Sequence, residues 1–252
     1  HVISNDDGLE GRWKSTLRER GFDVVEAYDP DAVVVTIGGD GTILYAAREF
    51  PEPTILPVRA GDSKGYRTHL DSERLVEALE RIETGERGDA YAVAEHRRIA
   101  AYRDGQQLQG GFDALNEISL HHSSPTLAAV LGIRIRDGDE AYELDRVICD
   151  GVVVATPFGS TAYYRAITGG TFSHGLGIAF NNVHTPSDAP AYRVVSPDGV
   201  VEVERLTSEH ASGAVLTRDN ADETYELDVG ERITIRGSGD TVEILNPLLP
   251  GR

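Results

Sequence analysis

The sequence predicts an α/β N-terminal domain on an open, mostly parallel sheet, followed by a β-rich C-terminal domain. Three observations carry this expectation. Helix-like and strand-like segments alternate through residue 90, the pattern of an α/β layer. From residue 91 onward short β-branched or alternating runs dominate, punctuated by turns such as Asp137-Gly138 and Pro197-Asp198-Gly199. No fixed-period repeat or low-complexity linker interrupts the 252 residues, a length that can bury a full core. The expected division is 1–90, 91–240, and a tail over 241–252 free to return to the first domain.

In the first domain, residues 13–20 read as a helix stopped at Gly21, and 22–27 as a strand. Residues 33–37 are a continuous β-branched run, the signature of a strand covered on both faces. A helix over 43–49 ends before Pro51, and 54–58 is a further strand. Residues 72–84 form a helix with Leu75, Val76, Leu79 and Ile82 on one face, closed by Gly85. In the second domain the strands are expected at 99–103, 115–120, 130–136, 147–155, 193–196, 200–204 and 231–236. One helix is expected at 160–167.

Composition excludes several function classes. The 42 Asp and Glu against 24 Lys and Arg leave a formal charge of −18, which opposes nucleic acid and anionic membranes. Lys14 and Lys64 are the lysines; acid-rich, lysine-poor sequences suit proteins bathed in molar salt, which screens their self-repulsion. Anionic substrates must then be met by local donors. Cys149 is the single cysteine, in an apolar run, and fits a buried thiol in a reducing cytoplasm. The histidines lack zinc spacing, and His121 and His122 would diverge on a strand. No apolar stretch reaches the roughly 20 residues needed to span a bilayer, and the start does not read as a signal peptide.

Three motifs carry chemistry. Gly38-Gly39-Asp40-Gly41-Thr42 follows the 33–37 run and opens a helix, a turn whose bare backbone N–H groups suit phosphate oxygens. Asp40 would repel those phosphates unless it has a task, either to accept a proton from a hydroxyl or to hold a metal. An ordinary glycine loop is the plainer alternative. Asn116-Glu117 interrupts a β-like run, and an amide beside a carboxylate suits ribose hydroxyls; an edge strand would explain the pair equally. Asp150 to Tyr163 reads as a strand, a Thr156-Pro157 break, and a Gly159-Ser160-Thr161 turn opening a helix. Ala162 leaves room for a flat ring and Tyr163 is placed to stack on it; a capped helix with a core tyrosine is the alternative.

In this order and spacing the three motifs closely resemble the NAD kinase family, with Gly169-Gly170 and Asn182-Val183-His184-Thr185 as fainter matches. The resemblance covers essentially the whole chain and implies an NAD kinase/diacylglycerol kinase-like fold. It implies phosphorylation of the adenosine ribose 2′-hydroxyl of NAD to NADP, with ATP or polyphosphate as donor and Mg²⁺ or another divalent cation. By the family's pattern Asp40 would be the general base or a ribose-orienting carboxylate, and Gly39, Gly41 and Thr42 would lie against phosphates. Asn116 and Glu117 would hold the adenosine portion; Thr161, Ala162 and Tyr163 would line the adenine and nicotinamide sites. Asp150 would reach the nicotinamide end, often across a subunit boundary, which implies a homodimer or homotetramer in the cytoplasm. Salt-loving composition adds the expectation of a halophilic archaeon.

The chain departs from the family where relatives carry Asn-x-Gly-x-x-Gly-Phe. Here Arg59-Ala60-Gly61-Asp62-Ser63-Lys64-Gly65-Tyr66 stands, with Arg59 and Lys64 as either phosphate contacts or surface cations. The late Asp-Gly-Gln is Asp219-Asn220-Ala221. A lipid kinase of the diacylglycerol kinase type shares the glycine turn, and a degenerate NAD(P)-binding sensor shares the fold. Both are rival expectations.

Overall fold

A computed structural model describes residues 1–61, 63, 65–85, 87–207 and 211–249. The chain divides into two compact units, residues 1–96 with 241–252, and residues 97–240. The α/β and β-rich character expected of the two parts is what the structure shows.

In the first unit, Val34–Gly38 lies at the centre of a parallel sheet. It pairs with Val2–Ser4 on one side and Thr54–Arg59 on the other. Thr54–Arg59 pairs in parallel with Glu243 and Ile244 of the long strand Arg232–Pro247. Val35, Ile37, Leu56 and Val58 form a buried cluster with Leu75 and Leu79 of the helix Leu75–Thr84 and with Leu17 of the helix Asp7–Glu19. Burial on both faces explains the unbroken β-branched run at 34–37.

Several local expectations need correction. Residues 22–27 form no strand; the segment runs as irregular chain. The first helix starts at Asp7, because the Asp6 side chain accepts the Leu9 N–H at 3.0 Å and caps it there. Residues 72–84 split into a 3₁₀ turn, Ser72–Arg74, and a helix, Leu75–Thr84.

The second unit stacks two antiparallel sheets. One runs in the order Tyr192–Val195, Leu176–Asn181, Gly151–Ala155, Glu117–His122, Ala214–Arg218, Tyr225–Leu227. The other contains Val200–Arg205, Ala129–Asp137, Glu140–Cys149 and the start of Arg232–Pro247. Alternation decides the core: Ile118, Leu120, Val152, Val154, Ile178 and Leu216 face Leu131, Ile133, Val201 and Ile233 of the other sheet. On the opposite face Val153, Ala155 and Ala179 are covered by Tyr164 of the short helix Tyr163–Thr168.

The run 147–155, expected as one strand, is two. Cys149 ends a strand of one sheet and Gly151 begins a strand of the other, with Asp150 between them. The 160–167 helix is also divided. Gly159–Thr161 is a 3₁₀ turn, Ala162 breaks it at ψ −125°, and the α-helix begins at Tyr163 and ends on Gly169 at φ +74°. Among the described residues no helix is long and apolar enough to cross a membrane.

Candidate active site

In the first unit the turn sits where Val34–Gly38 ends. Gly39 caps the helix Asp40–Glu49, so Asp40 is its first residue rather than a loop residue, favourably placed at the positive end of the helix dipole. Its carboxylate is gripped by a second loop: Oδ2 accepts the Tyr66 N–H and Oδ1 the Arg67 N–H, both at 2.9 Å. Gly65 makes this approach feasible, since an added Cβ would lie 2.6 Å from Asp40 Oδ1. Ser63 covers Gly39, whose missing Cβ would sit 2.7 Å from the serine hydroxyl. Thr42 is buried behind Gly38, and its N–H donates to the Gly39 carbonyl at 3.1 Å. Its Oγ1 has no hydrogen-bond partner among the described residues. Gly41 is half-buried beside it.

The departure at 59–66 thus has a structural role. The Arg59 guanidinium donates through Nε and Nη2 to the Thr68 carbonyl at 3.1 and 2.8 Å, and Nη1 lies 4.0 Å from Asp71. Arg59 braces the loop that holds Asp40; Lys64 lies outside the described residues. Burial lowers the Arg67 guanidinium from its ordinary value, against the pull of Asp40. His96 is driven down to about 4 by burial and by Arg67.

In the second unit a corner is formed where the chain enters the strand Glu117–His122. Asp219, past the end of Ala214–Arg218, takes φ +41°, a conformation aspartate tolerates. Its carboxylate accepts three backbone N–H groups, from Leu115 at 2.9 Å, Asn116 at 2.7 Å and Glu117 at 3.1 Å. Its own N–H donates to the Glu117 carbonyl at 2.9 Å. From the other side, the Thr156 N–H donates to the Asn116 carbonyl at 2.8 Å. The Thr156 hydroxyl donates to Leu115 O at 2.5 Å and accepts the Gly159 N–H at 3.2 Å. The two predicted motifs, Asn116-Glu117 and the Asp150–Tyr163 stretch, are therefore brought together within this unit.

Glu117 shares its face with Ser119 and His121, alternating with the core residues Ile118 and Leu120. Ser119 Oγ lies 2.9 Å from His121 Nε2 and 2.8 Å from Thr217 Oγ1 of the neighbouring strand. The Tyr163 ring is tilted against His121 at 5.6 Å, and its hydroxyl accepts Asn181 Nδ2–H at 3.2 Å. The result is a polar strip along one sheet face, walled by an aromatic ring. Thr161 and Ala162 occupy the half-buried link between the 3₁₀ turn and the helix. Asp150 accepts Asn182 Nδ2–H at 2.9 Å and faces His184 Nε2 at 3.3 Å, contacts that hold its carboxyl below the usual range, the Asn182 bond first. The faint Asn182–Thr185 match thereby supports Asp150.

Glu117 is only 8% exposed, and its Oε2 has no hydrogen-bond partner among the described residues. Burial, with the Asp219 charge second, pushes its carboxyl up to about 8. Burial also raises Asp219, countered by the three amides that favour its ionised form. Asp219 was not singled out as a site residue from the sequence. The signal available was a turn residue after the alternating Ala214–Arg218 strand, in place of the family's Asp-Gly-Gln.

The first unit's glycine turn with its helix-terminal aspartate, and the second unit's polar sheet face with a tyrosine and a buried acid, are each of a kind suited to nucleotide-handling proteins. Comparison with known proteins narrows this. The ATP-NAD kinase N-terminal domain family matches residues 13–87. The NAD kinase of Natronomonas pharaonis is 31% identical over 245 residues, 96% of this chain and 85% of the relative. That of Methanopyrus kandleri is 39% identical over 134 residues, 52% of this chain and less than half, 44%, of the relative. The solved structure of yeast NADH kinase complexed with NADH matches with a TM-score of 0.78 at 18% identity, over 97% of this chain and 82% of that one. An NAD kinase from Archaeoglobus fulgidus in complex with ATP gives 0.71 at 24%, over 96% and 91%. These two likenesses show the fold. The chain belongs to the NAD kinase family. The diacylglycerol kinase and degenerate-sensor readings find no support among these relatives.

Proposed function

We propose that this chain transfers the terminal phosphoryl group of ATP to the adenosine ribose 2′-hydroxyl of NAD, giving NADP. The observation that carries the reading is Asp40: a carboxylate at the first position of a helix, oriented by two backbone amides behind a glycine turn. Such a group suits proton acceptance from a hydroxyl while Gly39, Gly41 and Thr42 lie against phosphate oxygens. Phosphoryl transfer asks little covalent work of a protein, so positioning and charge neutralisation carry the rate.

Asn116 and Glu117 are assigned to the adenosine portion, Thr161, Ala162 and Tyr163 to the adenine and nicotinamide rings, and Asp150 to the nicotinamide end. The polar strip and the Tyr163 wall support these assignments. Among the described residues no group of three or more His, Cys, Asp or Glu side chains is arranged to hold a metal. Mg²⁺ would accompany the donor as the counter-ion of its phosphates. ATP is favoured over polyphosphate because a similar fold is known in complex with ATP. The charge of −18 and the relative from Natronomonas support work in a salt-rich cytoplasm, and the family role of Asp150 supports a homodimer or homotetramer.

The test is an end-point assay of NADP formed from NAD with ATP, then with polyphosphate, in molar KCl. Folded protein that forms no NADP with either donor would refute the reading.

A further inference from the structure

Two buried acids share the corner of the second unit, the Glu117 N–H donating to Asp219 Oδ1 at 3.1 Å, and their carboxyl groups are treated unequally. Asp219 has a donor on each oxygen, from three backbone amides at 2.7 to 3.1 Å. Glu117, next to it, is 8% exposed with Oε2 buried and unpartnered among the described residues. Like charge disfavours ionising both of two neighbouring buried acids, and the proton favours the one with fewer donors. A buried carboxylate oxygen lacking any hydrogen bond is costly, whereas a carboxylic acid has an O–H to offer.

Burial raises Asp219 as well, against its three amides and Arg98, and of the described groups that face Glu117 none donates to its Oε2. Its own strand contributes Ser119 and His121, and the neighbouring strand contributes Thr217 and, past its end, Asp219. The helix Tyr163–Thr168 contributes Tyr163, whose phenol is pushed up by burial, Asp150 and Glu117 itself. Burial lowers His121, with His122 adding to the shift. Arg98 pairs with Asp113 and also favours the ionised form of Asp219, and Arg218 pairs with Asp113 and donates to the Gly111 carbonyl at 2.8 Å.

We propose that Glu117 meets the dinucleotide as a neutral carboxylic acid, donating its O–H to an acceptor atom of the ligand, with Asp219 the ionised neighbour that holds it in that form. The proposal rests on the NAD-binding role given to Asn116-Glu117. Its consequence is a choice of ligand atom: a phosphate oxygen, carbonyl or ring nitrogen fits the O–H, and none of these would sit well against a carboxylate. Asp219 acts through Glu117 and is a positioning residue.

Calorimetric titration of the full chain with NAD at pH 6.5 to 9, in molar KCl, tests this. Wild-type affinity should be flat near pH 7 and fall above pH 8, approaching tenfold per unit as Glu117 ionises. Glu117→Gln retains an N–H donor, so it should bind within about threefold of wild type at pH 7 and lose that dependence. In the ligand-free protein, carboxyl ¹³C NMR should show one glutamate titrating near pH 8 that vanishes in Glu117→Gln. Three results overturn the proposal: affinity flat to pH 9, a folded Gln variant weakened more than about 30-fold, or a Glu117 carboxyl ionised by pH 6. Wild-type protein that binds no NAD at any pH would instead defeat the kinase reading, and this inference with it.

Discussion

Asp40→Asn is the sharpest perturbation of the proposed chemistry, and the structure gives it two separable effects. The first is on rate. Removing a general base costs roughly 10²- to 10⁴-fold in turnover, about 3–5 kcal/mol of barrier. The second is on the loop that grips the carboxylate. Both Asp40 oxygens accept a backbone N–H, from Tyr66 and Arg67 at 2.9 Å, and asparagine can accept only one of them. Its amide then opposes the other N–H, at a cost of about 1–3 kcal/mol. For a chain of this size that corresponds to a fall in melting temperature of roughly 2–12 °C. Initial rates at saturating NAD and ATP, with thermal melts by circular dichroism, read the two effects apart. Gly65→Ala is the companion: its Cβ would lie 2.6 Å from Asp40 Oδ1 and 2.8 Å from Thr68 Oγ1, so it displaces the carboxylate without removing it. It should lower kcat while leaving a carboxylate in the turn to accept the proton. Full turnover in Asp40→Asn would refute the base assignment outright.

Other perturbations probe the scaffold. Gly159→Ala places a Cβ 2.5 Å from the carbonyl carbon and 2.6 Å from the Cα of Asn116, closer still to its oxygen, and backbone cannot yield cheaply. Overpacking of about 1–3 kcal/mol, with strain on the Thr156 bonds, should lower the melting temperature by roughly 2–12 °C. Gly170→Ala, with nothing nearer than 3.9 Å, should be silent, and equal melts for the two would contradict the geometry. His96 is depressed to about 4, so the native state keeps it neutral while the unfolded chain protonates below its ordinary 6.5. Stability contributed there is present above pH 6.5 and lost as pH falls towards 4; His96→Gln should flatten that acid limb of a melt-versus-pH curve. The charge of −18 predicts a melting temperature that climbs as KCl rises from 0.1 to 2 M, because the screening length shrinks from about 10 Å to under 3 Å. A flat or falling curve would end the halophile reading.

What the sequence disclosed depended on how local the determining physics was. The strand Val34–Gly38 and its turn were legible because an apolar β-branched run followed by glycines is a statement about adjacent residues. The break at Asp150 was hidden because apolar residues flank it on both sides. What divides the strand is a change of partner, Ile148 pairing with Val130 and Gly151 with His121 and Asn181. Residues 22–27 failed for the converse reason: strand propensity was present, and no neighbouring strand receives it.

The corner at 115–117 shows the limit most clearly. Asp219 reaches it from about a hundred residues away, through a register that pairs Arg218 with Ile118. No pattern within a window could announce that contact. Gly159 is the complementary case. It stands in a turn that opens a helix, a place where bare backbone suits a ligand, yet the group that comes close is the protein's own Asn116 backbone. The glycine was legible and its reason was not. A motif names the residues on which a site depends, whereas tertiary contact decides which of them touch ligand and which hold the others still.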